Sequence, residues 1–212
     1  LEQYKKPSSV VTDAASVKGE IADVICQHFG HIPSWFVLGH PIAGSEQSGV
    51  EAANAELYIN HNVILTPSVE TSEHALALVK QMWQATGASL ATMSVEEHDE
   101  VLAATSHLPH ILAYALVDAL AGREEQRKIF EYAAGGFRDF TRIASSDPQM
   151  WHDISLANKP ALLKMIDMFS EHLMVLRAAI ESSDSEAIMA SFNRAKDSRD
   201  HFAQVLKERQ QG

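Results

Sequence analysis

The stretch VVTDAASVKGEIADVICQHFG, residues 10–30, decides the fold. Ser9 to Thr12 is a short β-branched run close behind Pro7 and reads as a strand. Ser16 is placed to cap a helix in which Val17, Ile21, Val24, Ile25 and Phe29 recur at helical spacing, and Gly30 is a natural stop. Trp35-Phe36-Val37-Leu38 reads as a second buried strand, ending at Gly39-His40-Pro41. A Gly/Ser-rich loop, a short helical piece from Val50 to Leu57 and a turn at Asn60-His61-Asn62 lead to a third strand, Val63-Ile64-Leu65-Thr66, closed by Pro67. Strand, helix, strand with short connections implies a parallel pair in an α/β sheet.

From about Ser68 the pattern turns helical, with no convincing alternation afterwards. Helices are expected at 70–86, 95–121, 124–133, 137–145, 148–157, 160–182 and 185–209. Ser94 with Glu97 forms a capping box, and Pro148 and Pro160 stand where a first helical position tolerates proline. Leu162, Leu163, Ile166, Phe169, Leu173, Leu176 and Ile180 give the 160–182 helix one wide apolar stripe. The 95–121 segment is Ala- and Leu-rich around much of its circumference, so it belongs in a bundle centre or against another subunit. The expected division is therefore an α/β portion over 1–67 and an all-α domain over 68–212, with a homodimer formed through the latter. Three strands are few for such a sheet and residue 1 is Leu, so the chain is expected to begin inside a longer protein.

Composition narrows the function. Of 212 residues, 46% are apolar and 21% charged, which argues against disorder, and no apolar run approaches the ~20 residues of a membrane span. Seventeen basic against 28 acidic residues leave a net charge of −11, which repels phosphate backbones, so neither a nucleic acid nor a membrane is the expected partner. A single cysteine excludes an internal disulfide framework and fits a reducing, cytoplasmic setting.

Ligands of parallel α/β sheets bind beyond the carboxyl ends of the strands, which here carry Ser16 and His40. Both can equally be a capping serine and a structural histidine in a tight turn. His107 and His110, three apart on one helical face, flank Pro109, which removes a backbone donor and frees carbonyls near Thr105. With a helix kink expected at Pro109, they are either lining a polar cavity for substrate or satisfied core histidines. A metal would need at least one further ligand, and no cysteine or zinc-type partner stands nearby, so no metal site is expected. Gly135-Gly136 opens a helix bearing Arg138 and Arg142 on one face. These are either a solvated, salt-bridged pair or, given Phe137, Phe140 and Ile143, a guanidinium held near a pocket to bind a carboxylate. His98-Asp99 reads as a solvated pair, Cys26 as a small core residue and Trp151 as a core residue at a helix start. No G-x-S-x-G, P-loop or G-x-G-x-x-G occurs.

The segments VTDAASVKGEI (11–21), GHPIAGSEQSGVEAA (39–53), NVILTP (62–67), SHLPHILAYALVD (106–118) and AAGGFRDFTRIASSDPQMW (133–151) together resemble the prephenate dehydrogenase family, which includes arogenate and cyclohexadienyl dehydrogenases. The resemblance implies part of a Rossmann-type nucleotide domain, lacking its N-terminal glycine-rich unit, followed by a helical dimerisation domain. It implies oxidative decarboxylation of prephenate or arogenate with NAD or NADP, in tyrosine biosynthesis. Within it, His40 takes the proton of the substrate hydroxyl and Ser16 orients that pair beside the nicotinamide. Arg142 holds a substrate carboxylate, facing the same interdomain cleft as His40, while His107, His110, Ser45, Glu46 and Trp151 fall in pocket segments. Two rivals remain. One is a non-catalytic helical dimerisation or effector-binding module. The other is a β-hydroxyacid or 6-phosphogluconate-type dehydrogenase, disfavoured because no lysine stands in the SHLPH or GGFRDF segments.

Overall fold

A computed structural model describes residue 6 and residues 8–44, 49–122 and 126–211. They form two compact units that divide between Leu163 and Lys164.

The first unit is built on four strands, β1 (Val11–Thr12), β2 (Phe36–Ile42), β3 (Asn62–Thr66) and β4 (Ser89–Thr92), in the order β1-β2-β3-β4. The expected parallel pair is β1 with β2, linked by α1 (Lys18–Phe29). The β2–β3 pair is antiparallel, with Leu38 opposite Thr66 and His40 opposite Ile64, and β3–β4 is parallel again. β2 runs further than expected, through Gly39, His40 and Pro41 to Ile42. The proline fits because β1 pairs with β2 only at Phe36 and Val37, so Pro41 has a neighbour on the β3 side alone.

Alternation along β2 sends successive side chains to opposite faces. Val37 joins Val63 and Leu65 against Ala75, Val79 and Trp83 of α2 (Glu73–Gln84). Phe36 and Leu38 pack against Ile25 of α1, with Val95 at the edge of the cluster. Each fully buried side chain of this kind contributes roughly 1.5–3 kcal/mol. His40 shares the period-2 face of Phe36 and Leu38, and that is the face that meets α3 (Val95–Leu102). Cys26 is exposed rather than part of this core.

The sheet continues past the boundary expected at residue 67: α2 covers one face and β4 adds a strand at 89–92. β4 was illegible because SLAT is only half-buried at its two middle residues and exposed at both ends. The helix expected over 95–121 is three elements: α3, a π-helical turn over Ala103–His107, and α4 (Leu108–Ala121), with Pro109 in the first turn of α4. Pro109 cannot donate to Thr105, and the wider turn accommodates the missing bond. Then come α5 (Gln126–Glu131), α6 (Gly135–Thr141), a 3-10 turn over Arg142–Ser145, and α7 (Pro148–Ala157). Asp147 caps α7 by accepting from the N–H groups of Gln149 and Met150.

α8 (Lys159–Glu181) runs into the second unit, which it forms with α9 (Ser185–Gln211). The link between them closes with Asp184 N–H donating to Ala179 O and Ser183 at φ 55°, a Schellman-type end. Leu173, Val175, Ile180, Met189, Phe192 and Phe202 stay exposed on these helices. Among the described residues no helix is long and apolar enough to cross a membrane.

Candidate active site

A cavity of about 420 Å³ opens beside β2. Ser16, His40, His107, His110 and Trp151, five of the residues singled out in the sequence, line it together with Ser106. Ser45 and Glu46 lie outside the described residues. Arg142 does not share this cavity within the chain. It lines a second one of about 530 Å³ with Phe130, Phe137, Arg138 and Thr141. Ile143 and Ser146 border the first cavity while Arg142 and Ser145 border the second, so the 3-10 turn is a wall between them.

Ser16 does not cap α1: the N-cap is Val17, with no side-chain bond. The cap comes from a distant element. Asp99 of α3 accepts the Lys18 N–H through Oδ1 at 2.9 Å and the Gly19 N–H through Oδ2 at 2.8 Å. A carboxylate at a helix N-terminus satisfies free donors and meets the positive end of the dipole. Gly19 makes room for it, since a Cβ there would sit 2.8 Å from Asp99 Oδ2. Burial pushes the Asp99 carboxyl up, but hydrogen bonds from His98, Lys18 and Gly19 outweigh it and hold the group below the usual aspartate range.

The pair that reads as solvated is therefore enclosed. His98 is 0% exposed; its Nδ1 lies 2.7 Å from Asp99 Oδ1, and its Nε2 lies 2.9 Å from His40 Nδ1. The available signal was His98's place on the stripe Val95, His98, Leu102, at helical i, i+3, i+7 spacing. Lys18, also completely buried, pairs with Asp13 and donates to Gly39 O at 2.6 Å. Asp13 Oδ1 accepts the Gly39 N–H, so both backbone groups of the residue before His40 are held. Burial lowers the Lys18 ammonium, opposed by Asp13.

Three imidazoles border the cavity. His40 is held well below the ordinary histidine range, first by burial and then by His98, Lys18 and His107. Burial brings His107 down to about 4 against the pull of Asp99, and lowers His110 against the Ser106 carbonyl. All three are neutral at pH 7. Asn158 Nδ2 donates to Asp99 O at 2.8 Å and faces His107 Nδ1 at 3.1 Å. An amide NH₂ only donates, so His107 Nδ1 accepts and its Nε2 carries the proton. His110 Nδ1 donates to Ser106 O, and its ring stacks on Trp151 at 3.5 Å and 18°. The Trp151 indole N–H is buried with no partner among the described residues. The site thus holds neutral acceptors and donors beside an aromatic wall.

A small sheet with a cavity at the carboxyl end of β2, followed along the chain by helices, is the layout of a nucleotide-binding domain joined to a helical one. The family model for the nucleotide-binding domain of prephenate dehydrogenase matches residues 2–92, and that for the dimerization domain matches residues 94–194. The chain is 41% identical over 197 residues to the cyclohexadienyl dehydrogenase of Zymomonas mobilis, covering 92% of itself and 66% of that protein. It is 42% identical over 194 residues to the prephenate dehydrogenase of Bacillus subtilis, covering 90% and 52%. The crystal structure of prephenate dehydrogenase from A. aeolicus, in complex with hydroxyphenyl propionate and NAD+, superposes with a TM-score of 0.83 at 42% identity, covering 91% of this chain and 67% of that one. Synechocystis arogenate dehydrogenase gives 0.79 at 30%, covering 93% and 70%. The chain belongs to the prephenate dehydrogenase family. It spans 66% and 52% of the two curated relatives.

Proposed function

We propose that the protein carrying this chain oxidatively decarboxylates prephenate, or arogenate, with NAD or NADP, in tyrosine biosynthesis. The observation that carries the reading is the neutral His40 imidazole, set in the second strand of a parallel pair and lining a cavity with His107, His110 and Trp151. Such a base accepts the proton of the ring hydroxyl and returns it to the phenolic oxygen once the ring is aromatic. The His107 Nε2–H donates to a substrate oxygen, and Trp151 offers a ring face. Arg142 stands across the wall; its hold on a carboxylate is the part of this reading that rests on family resemblance alone.

Ser16, whose hydroxyl makes no hydrogen bond among the described residues, and the open wall at Gly44, where a Cβ would meet nothing within 4 Å, fit the nicotinamide end of a dinucleotide. No glycine-rich phosphate-binding turn occurs in the sequence, so these residues fit that end and not the pyrophosphate. When bound, the dinucleotide supplies the hydride acceptor. The dimerization-domain match and the exposed apolar faces of α8 and α9 support a homodimer, and the single cysteine supports a cytoplasmic setting.

The missing turn favours a second reading for these 212 residues alone, a dimerisation or effector-binding module. Incubating the protein with prephenate or arogenate and NAD separates the two. Reduced nicotinamide formed together with 4-hydroxyphenylpyruvate or tyrosine supports the enzyme; ligand binding without turnover supports the module.

A further inference from the structure

Beyond the residues that border the cavity, the geometry points to His98 as the positioning residue that fixes His40 in its Nδ1–H form, leaving the Nε2 lone pair for the substrate. Asp99 anchors the pair.

The chain of donors leaves little choice. Asp99 already accepts two backbone N–H groups at the start of α1, so its carboxylate is held in place and only accepts. His98 Nδ1 must then donate to it at 2.7 Å. A neutral His98 has a bare Nε2, which at 2.9 Å can only accept, so His40 Nδ1 donates. His40 Nε2 has no hydrogen bond among the described residues, and the residue lines the cavity. The groups that face His40 are His98 and Asp99 on α3, Lys18 on α1 and His107 in the π turn. Three further bonds fix the register: Ser94 caps α3 through the Glu97 N–H, Asn158 holds the Asp99 carbonyl, and Lys18 holds the Gly39 carbonyl next to His40. The opposite tautomer would offer the substrate hydroxyl an N–H, which cannot take a proton.

The kinetic consequence rests on His40 being the proton acceptor; the tautomer itself does not, so two readouts separate the claims. Nitrogen NMR of ¹⁵N-histidine-labelled protein reports each ring nitrogen of His40. The expected spectrum shows a protonated Nδ1 and a bare Nε2 in the unsubstituted protein, which needs no variant to fold. In His98→Leu the preference is lost and kcat falls about 10²-fold with KM nearly unchanged. In His98→Gln the amide oxygen accepts the same bond, restoring the tautomer and part of kcat. A protonated Nε2 on His40 in the unsubstituted protein would overturn the proposal, as would a His98→Leu protein that keeps both tautomer and kcat. A protein with the expected spectrum but no turnover of prephenate or arogenate would instead remove the proposed function and leave the tautomer assignment standing.

Discussion

The wall around His40 and the segment around Arg142 are built in opposite ways. At the wall, Lys18, His98 and His107 are enclosed, and each is tied to a named partner from another part of the chain. In α6 and the following 3-10 turn no residue is buried, Phe140 is 51% exposed, and Arg138 pairs with its neighbour Asp139 in open solvent. The first arrangement is preorganised: donors and acceptors are oriented before any ligand arrives, which is what proton transfer requires. The second is a surface whose charges are screened and cheap to move. In the proposed function, imidazole chemistry belongs to the first region and ligand capture to the second.

Substitutions should separate the two regions sharply. His40→Ala is expected to lower turnover by about 10²–10⁴-fold while substrate binding, followed by calorimetry, persists; near-normal kcat would end the special status of the wall. Asp99→Ala removes the cap of α1 and the anchor of His98 together, and should cost about 2–3 kcal/mol in chemical unfolding; a loss under about 0.5 kcal/mol would mean the network is ornamental. Acid should weaken the wall as well. His40 and His107 have folded pKa values below the unfolded value, so their stabilisation is complete above about pH 6.5 and is lost as pH falls, by up to about 1.4 kcal/mol per group per pH unit. Denaturant midpoints that hold constant from pH 7 to pH 5 would contradict this. Arg142→Ala should leave stability within about 0.5 kcal/mol and act on KM rather than kcat; a matching fall in kcat would place its guanidinium at the reacting ring.

The same contrast explains what the sequence made legible. Helices with strong caps or stripes, such as α7 behind Asp147-Pro148 and α8 with its apolar row, are local features and stand where expected. Pro109 announced an interruption, found as a π turn over 103–107. His40, Ser16, His107, His110 and Trp151 were recognisable through strand ends, a shared helical face and family resemblance, and they do meet. What stayed hidden depends on long-range pairing. Asp99 caps a helix 80 residues away, a bond no local pattern encodes, and the complete burial of Lys18 likewise depends on distant parts of the chain. Ser16 carried a capping signature that Asp99 usurped. Arg142 and Arg138 share a helical face in sequence, but whether that face is dry is settled by packing alone.

The most direct test is a crystal structure of the protein with 4-hydroxyphenylpyruvate and NAD bound. The phenolic oxygen is expected within about 2.6–3.2 Å of His40 Nε2, with His107 and Trp151 against the ligand. A ligand whose phenolic end sits among Phe130, Phe137 and Arg142 instead, with His40 left uncontacted, would contradict it.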